Sequence, residues 1–227
     1  MAIEIITTVL TPAASYDLTD LATVKDELSL PTADTSKDCF LSRGITQVSA
    51  AIARYCNRVF PAETVSDLIY LRGRPFSPHY AVTPLGQPAP LQLTRWPVVS
   101  MTSVIETAAD GTTTTLLEDT DYQLDPATGW LFRLDCTSGM LRNWFTASVT
   151  AQYEAGYAAI PDDVVDACLR LVTLRFKARG RDPSLMEQTT QELGTQRFWV
   201  GPAPGQNGAM PPEIEALVDR YRVPVAG

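Results

Sequence analysis

SKDCFLSRGITQVSAAIARYCNRVF, residues 36–60, places Leu41, Ile45, Val48, Ile52, Tyr55 and Val59 at spacings of four and three. On an α-helix those spacings put all six side chains on one stripe. Arg43, Gln47, Arg54 and Arg58 fall on a wetter side, and Ala50, Ala51 and Ala53 allow another backbone to come close. The stretch therefore predicts one amphipathic helix of about six turns. An apolar stripe of that length must be covered, either by the chain's own helical layer or by a neighbouring subunit.

The segments flanking this helix are also helical in pattern. On the N-terminal side, residues 1–17 read as an extended arm whose Ile3, Ile5 and Val9 suit a sheet or a neighbour. Residues 18–30 read as a short helix near 19–28, capped by Thr19, with Leu21, Val24 and Leu28 on one face and Pro31 as its stop. Thr35 or Ser36 is expected to cap the long helix. Far downstream, residues 161–179 carry Asp162 and Asp163 in the first turn and an apolar face of Val164, Val165, Cys168, Leu171, Val172 and Phe176. Lys177 and Arg179 then precede Gly180. A last helix is expected near 212–221, with Ile214, Leu217, Val218 and Tyr221 on one face.

Between the helical parts the period changes to that of strands. Short runs at 68–71, 91–93, 98–105, 113–117, 122–124, 130–134 and 148–153 are separated by turn chemistry, notably Asp110-Gly111 and Asp125-Pro126-Ala127-Thr128-Gly129. The Pro-rich stretch 75–90 is expected to be a surface loop, and 181–210 a long irregular arm. The fold class is thus α+β, a helical layer interrupted by a small antiparallel β domain. The expected divisions are 1–60 (arm and helices), 61–157 (β domain), 158–180 (a helix completing the core) and 181–227 (C-terminal arm and helix).

Composition bounds the function. The chain of 227 residues is 45% hydrophobic and 19% charged, ordinary for a globular protein. No apolar run reaches the ~18 residues of a membrane span, and the N-terminus lacks a basic region before an apolar one, so no membrane partner or secretory leader is expected. Cys39, Cys56, Cys136 and Cys168 form no CxxC pair and read as reduced, structural thiols. The net charge of −8 counts against gripping a phosphate backbone.

Catalytic constellations are lacking in the sequence. His79 is the one histidine, and no metal-ligand spacing surrounds it. GxSxG, GxxxxGK[ST] and GxGxxG are absent. Asp162-Asp163, Asp119 with Asp121, and Glu213 with Glu215 read as helix starts and a turn, and the cations Arg170, Arg175, Lys177, Arg179 and Arg181 as a helix end favoured by the dipole. Trp96, Trp130, Trp144 and Trp199 are either core and interface anchors or a sugar-binding face. No catalytic, metal or cofactor site is expected.

A set of motifs in fixed order adds to this reading. They are Leu18-Thr19-Asp20-Leu21 with Val24-Lys25 and Leu28; Ala50 to Arg58 closing the long helix; Arg95-Trp96-Pro97-Val98 leading to Ser103-Val104; Asp121-Tyr122 with Gly129-Trp130-Leu131; Val149 to Tyr153 followed by Ala155-Gly156-Tyr157, Ile160-Pro161 and Ala167; and Leu217 to Arg222. This order resembles the head-to-tail connector, or adaptor, proteins of long-tailed bacteriophages and related gene-transfer particles. The resemblance spans roughly 18–180 and 211–222, and the segments 75–90 and 181–210 depart from it.

The resemblance implies a virion protein of the neck, assembled in the host cytoplasm. It implies a homo-oligomeric ring, usually of twelve copies, between the portal and a stopper or tail-completion protein, with DNA passing through unread. Portal binding is expected of the C-terminal arm and helix through Phe198, Trp199, Ile214, Leu217 and Tyr221, unless these fold back on their own helical layer. If they reach outward, removing 211–227 should abolish portal binding and leave the fold's thermal transition nearly unchanged. Leu41, Ile45, Val48, Ile52, Tyr55, Val165, Cys168 and Val172 are assigned to the helical core and ring interface. Two other readings stand beside this one, a virion or secreted β-domain module binding carbohydrate or protein, and a hydrolase using His79 and Asp162.

Overall fold

The computed structural model describes residues 4–71, 88–179, 187–190, 194–197 and 210–223, with side chains for all but 187–190 and 194–197. The chain is α+β and divides into two compact units, Met1–Ala14 with Pro61–Ala158, and Ser15–Phe60 with Ala159–Gly227. The expectations for His79 and for most of the 75–90 loop lie outside the described residues, as do Phe198 and Trp199.

The first unit is built from antiparallel strands. Strands β1 (Glu4–Thr11) and β2 (Glu63–Tyr70) pair with each other, β3 (Leu91–Gln92) and β4 (Val98–Thr107) follow, and β5 (Thr113–Leu116) returns along β4. Then come β6 (Tyr122–Asp125), β7 (Trp130–Leu134), the short β8 (Leu141–Arg142) and β9 (Ser148–Ala155). One sheet has the order β1-β2-β9-β4-β5, and the other β3-β7-β6 with β8 on β7. The two expected turns are present, joining β4 to β5 and β6 to β7.

Strand β9 shows why this sequence makes a sheet. Val149, Ala151, Tyr153 and Ala155 are buried, while Thr150, Gln152 and Glu154 between them are not. That is the period-2 alternation of a strand with one face on a core. The core gathers Val65, Ile69, Leu93, Val104, Leu131 and Tyr153 from both sheets.

Strand β2 is longer than the expected 68–71 because its inward face carries Glu63, Val65, Asp67 and Ile69. Two carboxylates among the apolar positions hide the alternation. Each has partners inside: Arg95 Nε lies 3.1 Å from Glu63, and Asp67 accepts hydrogen bonds from Tyr153, Thr94 and Thr7. The N-terminal arm is likewise a strand of this sheet.

The second unit holds α1 (Leu21–Glu27), α2 (Asp38–Cys56), α3 (Asp162–Lys177) and α4 (Pro212–Val218), the last running into a 3-10 turn at Asp219–Tyr221. Leu41, Ile45, Val48, Ile52 and Cys56 of α2 meet Val164, Cys168 and Val172 of α3 in a buried layer. The Ser49 hydroxyl accepts the Leu18 amide at 2.9 Å, fixing the lead-in to α1.

The helix ends differ from expectation. Asp20, not Thr19, caps α1, its carboxylate accepting the Thr23 amide at 2.8 Å. Helix α2 has Lys37 in the cap position without a side-chain cap, so neither Thr35 nor Ser36 serves. It has 19 residues, about five turns, because Asn57 adopts the left-handed conformation at φ 49° and its amide turns back to the helix. The expected irregular arm 181–210 contains two paired strands, β10 (Glu187–Thr190) and β11 (Gly194–Arg197). No described helix is long and apolar enough to cross a membrane.

Candidate functional site

Helix α4 is held by its own unit. Ile214, Val218 and Tyr221 are buried, and Tyr221 meets Phe60 edge-on with ring centroids 5.8 Å apart. The Val223 amide then bonds the Cys56 carbonyl at 2.8 Å. Of the residues assigned to portal binding, Ile214 and Tyr221 therefore face inward here and Leu217 is half-buried. The folded-back alternative describes this helix. Removing 211–227 would strip apolar side chains from the core of the unit, contrary to the expectation that the fold tolerates it.

The residues assigned to the helical core and ring interface separate similarly. Leu41, Ile45, Val48, Ile52, Cys168 and Val172 are buried within the unit, whereas Tyr55 and Val165 are half-buried. The Tyr55 hydroxyl lies 3.4 Å from Asp219, and the Arg222 guanidinium stacks 5.2 Å from its ring.

The titratable groups pulled from their usual range are structural. The Thr23 amide beside Asp20, the Ser36 hydroxyl beside Asp34, the Thr112 amide beside Asp110, the Thr128 hydroxyl beside Asp125 and the Ser138 amide beside Asp135 each hold a carboxyl below the usual range. All five are caps or turns. Burial pushes Cys56 and Cys168 up to about 11 and Tyr122 up to about 12, and drives Tyr153 upward. Among the described residues no group of three His, Cys, Asp or Glu converges as metal ligands. Asp163 is paired with Arg220, and Asp166 with Arg170 at 2.9 Å. Among the described tryptophans Trp144 is buried, Trp96 half-buried and Trp130 exposed, so they present no shared exposed face.

Sequence reasoning missed one surface. Where the N-terminal half of α2 lies along the C-terminal half of α3, Phe40, Arg43, Gly44, Gln47 and Arg175 line a shallow cleft of about 150 Å³. Phe40 is its aromatic wall, backed by Phe176 with ring centroids 6.3 Å apart. Arg179 stacks on Phe40 at 4.8 Å and Lys37 on Phe176 at 5.9 Å. Arg175 donates to Gln47. None of these cations is paired with a carboxylate among the described residues, unlike Lys25, which sits 2.6 Å from Asp38.

No family model and no curated protein matches the chain. Among solved structures, a chain from the neck of an empty gene transfer agent (GTA) particle, computed with C6 symmetry, aligns over 98% of both chains at 20% identity with a TM-score of 0.55. A chain from the neck of the native GTA particle, computed with C12 symmetry, aligns over 98% of both at 20% identity and TM-score 0.50. One from the virion of the native particle aligns over the same shares at 19% identity and TM-score 0.50. The chain therefore has the fold of a chain found in the neck of a gene transfer agent particle, over essentially its whole length.

Proposed function

We propose that this chain is a structural component of the neck of a tailed-phage or gene-transfer particle, forming a ring between portal and stopper through which DNA passes. The observation that carries this reading is the end-to-end fold likeness to a chain of a GTA particle neck, covering 98% of both chains and so both units together. A protein whose two faces differ closes into a ring when the rotation per copy suits.

The charge suits a passive conduit. Twelve copies of a chain at −8 would carry on the order of −100 formal charges, and any share lining the bore would repel DNA rather than hold it. Portal contact is assigned to Phe198 and Trp199 of the C-terminal arm and to the half-buried Leu217, since Ile214 and Tyr221 are engaged in their own core. Replacing Phe198 and Trp199 by serine should weaken portal binding and leave the thermal transition in place. Unchanged portal binding would remove the arm from the account.

Imaging tests the location. Particles carrying the chain with a C-terminal tag should show label at the head-tail joint, and particles lacking the chain should yield filled heads without tails. Label elsewhere on the particle, or normal tails without the chain, would refute the reading.

A further inference from the structure

The cleft between α2 and α3 is open to solvent and lined by an aromatic ring, a glycine and two arginines. At about 150 Å³ it is below the size of an ordinary small-molecule site and suits a single protein side chain. Its floor is Gly44, where an added Cβ would meet nothing within 4 Å. Its rim is cationic in an unforced way. A helix dipole explains Arg175 and Arg179 at the end of α3, but it opposes Lys37 at the start of α2 and does not account for Arg43 in the second turn.

The β unit carries the opposite charge. Its acidic residues outnumber basic ones about two to one, whereas the helical unit is nearly balanced. At the connection from β5 to β6, Leu116 points into the core and Leu117 after it is 63% exposed. Glu118 and Asp119 follow, both exposed, with no ion-pair partner among the described residues. The tip is rigid. The Asp121 carboxylate accepts the Leu117 amide at 3.1 Å, the Leu117 carbonyl accepts the Asp121 amide at 2.8 Å, and the Asp119 amide bonds the Tyr122 carbonyl at 2.8 Å. A leucine beside two carboxylates on a fixed turn complements a cleft with an aromatic wall, a glycine floor and two guanidinium groups.

We infer that the cleft is a socket for a second copy of this chain, taking Leu117, Glu118 and Asp119 of its neighbour. The inference rests on the ring reading, to which it adds the contact between copies. Socket and tip are different patches of the chain, so a ring in which each copy gives its tip to one neighbour and takes the tip of the other needs only this one heterologous contact. Charge complementarity here fixes register and rejects wrong pairings.

A charge-swap experiment on the full chain tests it. One variant carries Arg43→Glu and Arg175→Glu, the other Glu118→Arg and Asp119→Arg, and copies bound per portal ring are counted by native mass spectrometry. Each variant alone should assemble about tenfold less than wild type, because like charges then meet at every contact. An equimolar mixture should recover, with rings containing equal numbers of the two, since each reversed socket finds a reversed tip. Should the socket variant misfold, the tip variant, altered in the other unit, reads the same contact alone.

Variants that each assemble like wild type, while wild type forms rings, overturn the socket and leave the ring standing. Loss of duplex-DNA binding in the socket variant with rings intact would assign the cleft to phosphate instead. Wild type that forms no ring with or without portal overturns both readings.

Discussion

The hydroxyl of Tyr153 donates to the carboxylate of Asp67 at 2.5 Å inside the β unit, joining neighbouring strands β9 and β2. Asp67 is fully buried and also accepts the Thr94 amide at 2.8 Å and the Thr7 hydroxyl at 2.7 Å. A buried carboxylate is tolerated only when its oxygens are so satisfied. Asp67→Ala should therefore cost about 3 kcal/mol or more, because it takes the acceptor from the buried Tyr153 hydroxyl and from the part-buried donors of Thr94 and Thr7 at once. Tyr153→Phe should cost about 1–2 kcal/mol. Urea unfolding of the two variants checks this, and equal costs would contradict the network.

The ion pair between Arg133 and Glu106 joins the two sheets of that unit. Arg133 Nε lies 3.0 Å from Glu106, and its guanidinium also donates to the carbonyls of Leu134 and Asp121. With both side chains largely shielded, Arg133→Ala should cost about 3–5 kcal/mol by stranding the Glu106 carboxylate. Adding Glu106→Gln to that variant should recover part of the loss. A double variant no more stable than the single would show the cost to be packing alone.

Two glycines should respond oppositely to alanine. At Gly156, φ is 124° and an added Cβ would sit 2.5 Å from the Pro61 carbonyl oxygen, so Gly156→Ala should destabilise by about 3 kcal/mol or prevent folding. Gly44 lies within α2 with open space around its Cβ, so Gly44→Ala should stabilise by about 1 kcal/mol. Thermal midpoints of the two variants give the signs directly.

Stability should fall on the alkaline side. Cys56 and Cys168 are raised from 9.0 to about 11, so the folded chain keeps protons that the unfolded chain has released. Their contribution is full below about pH 9 and is lost as pH rises to about 11, and Tyr122 extends the decline to about 12. The urea midpoint should drop over that window, and less so in a Cys56→Ala, Cys168→Ala variant. The same burial predicts that a thiol reagent at pH 8 labels exposed Cys39 and Cys136 at once and the other two only on unfolding.

The apolar stripe of α2 and the alternation of β9 were legible because burial on one face imposes a period. Strand β2 reads short from the sequence because Glu63 and Asp67 face inward, and nothing local announces the partners Arg95 and Tyr153 that make this tolerable. Strands β10 and β11 have no apolar alternation in Glu-Gln-Thr-Thr and Gly-Thr-Gln-Arg, so the pattern was silent. The apolar face of α4 was visible, but whether it met its own core or a partner was not, since both demand the same residues. The cleft's signals were weak: a glycine inside α2 beside Phe40 and Arg43, and the Leu116-Leu117 doublet that breaks strand alternation.

Native mass spectrometry of the purified chain, alone and mixed with the portal ring of the same genome, tests most directly whether the chain forms the proposed neck ring. A closed ring is expected, either free or formed from monomers on the portal, with one stoichiometry. A monomer that ignores the portal at micromolar concentration would contradict it.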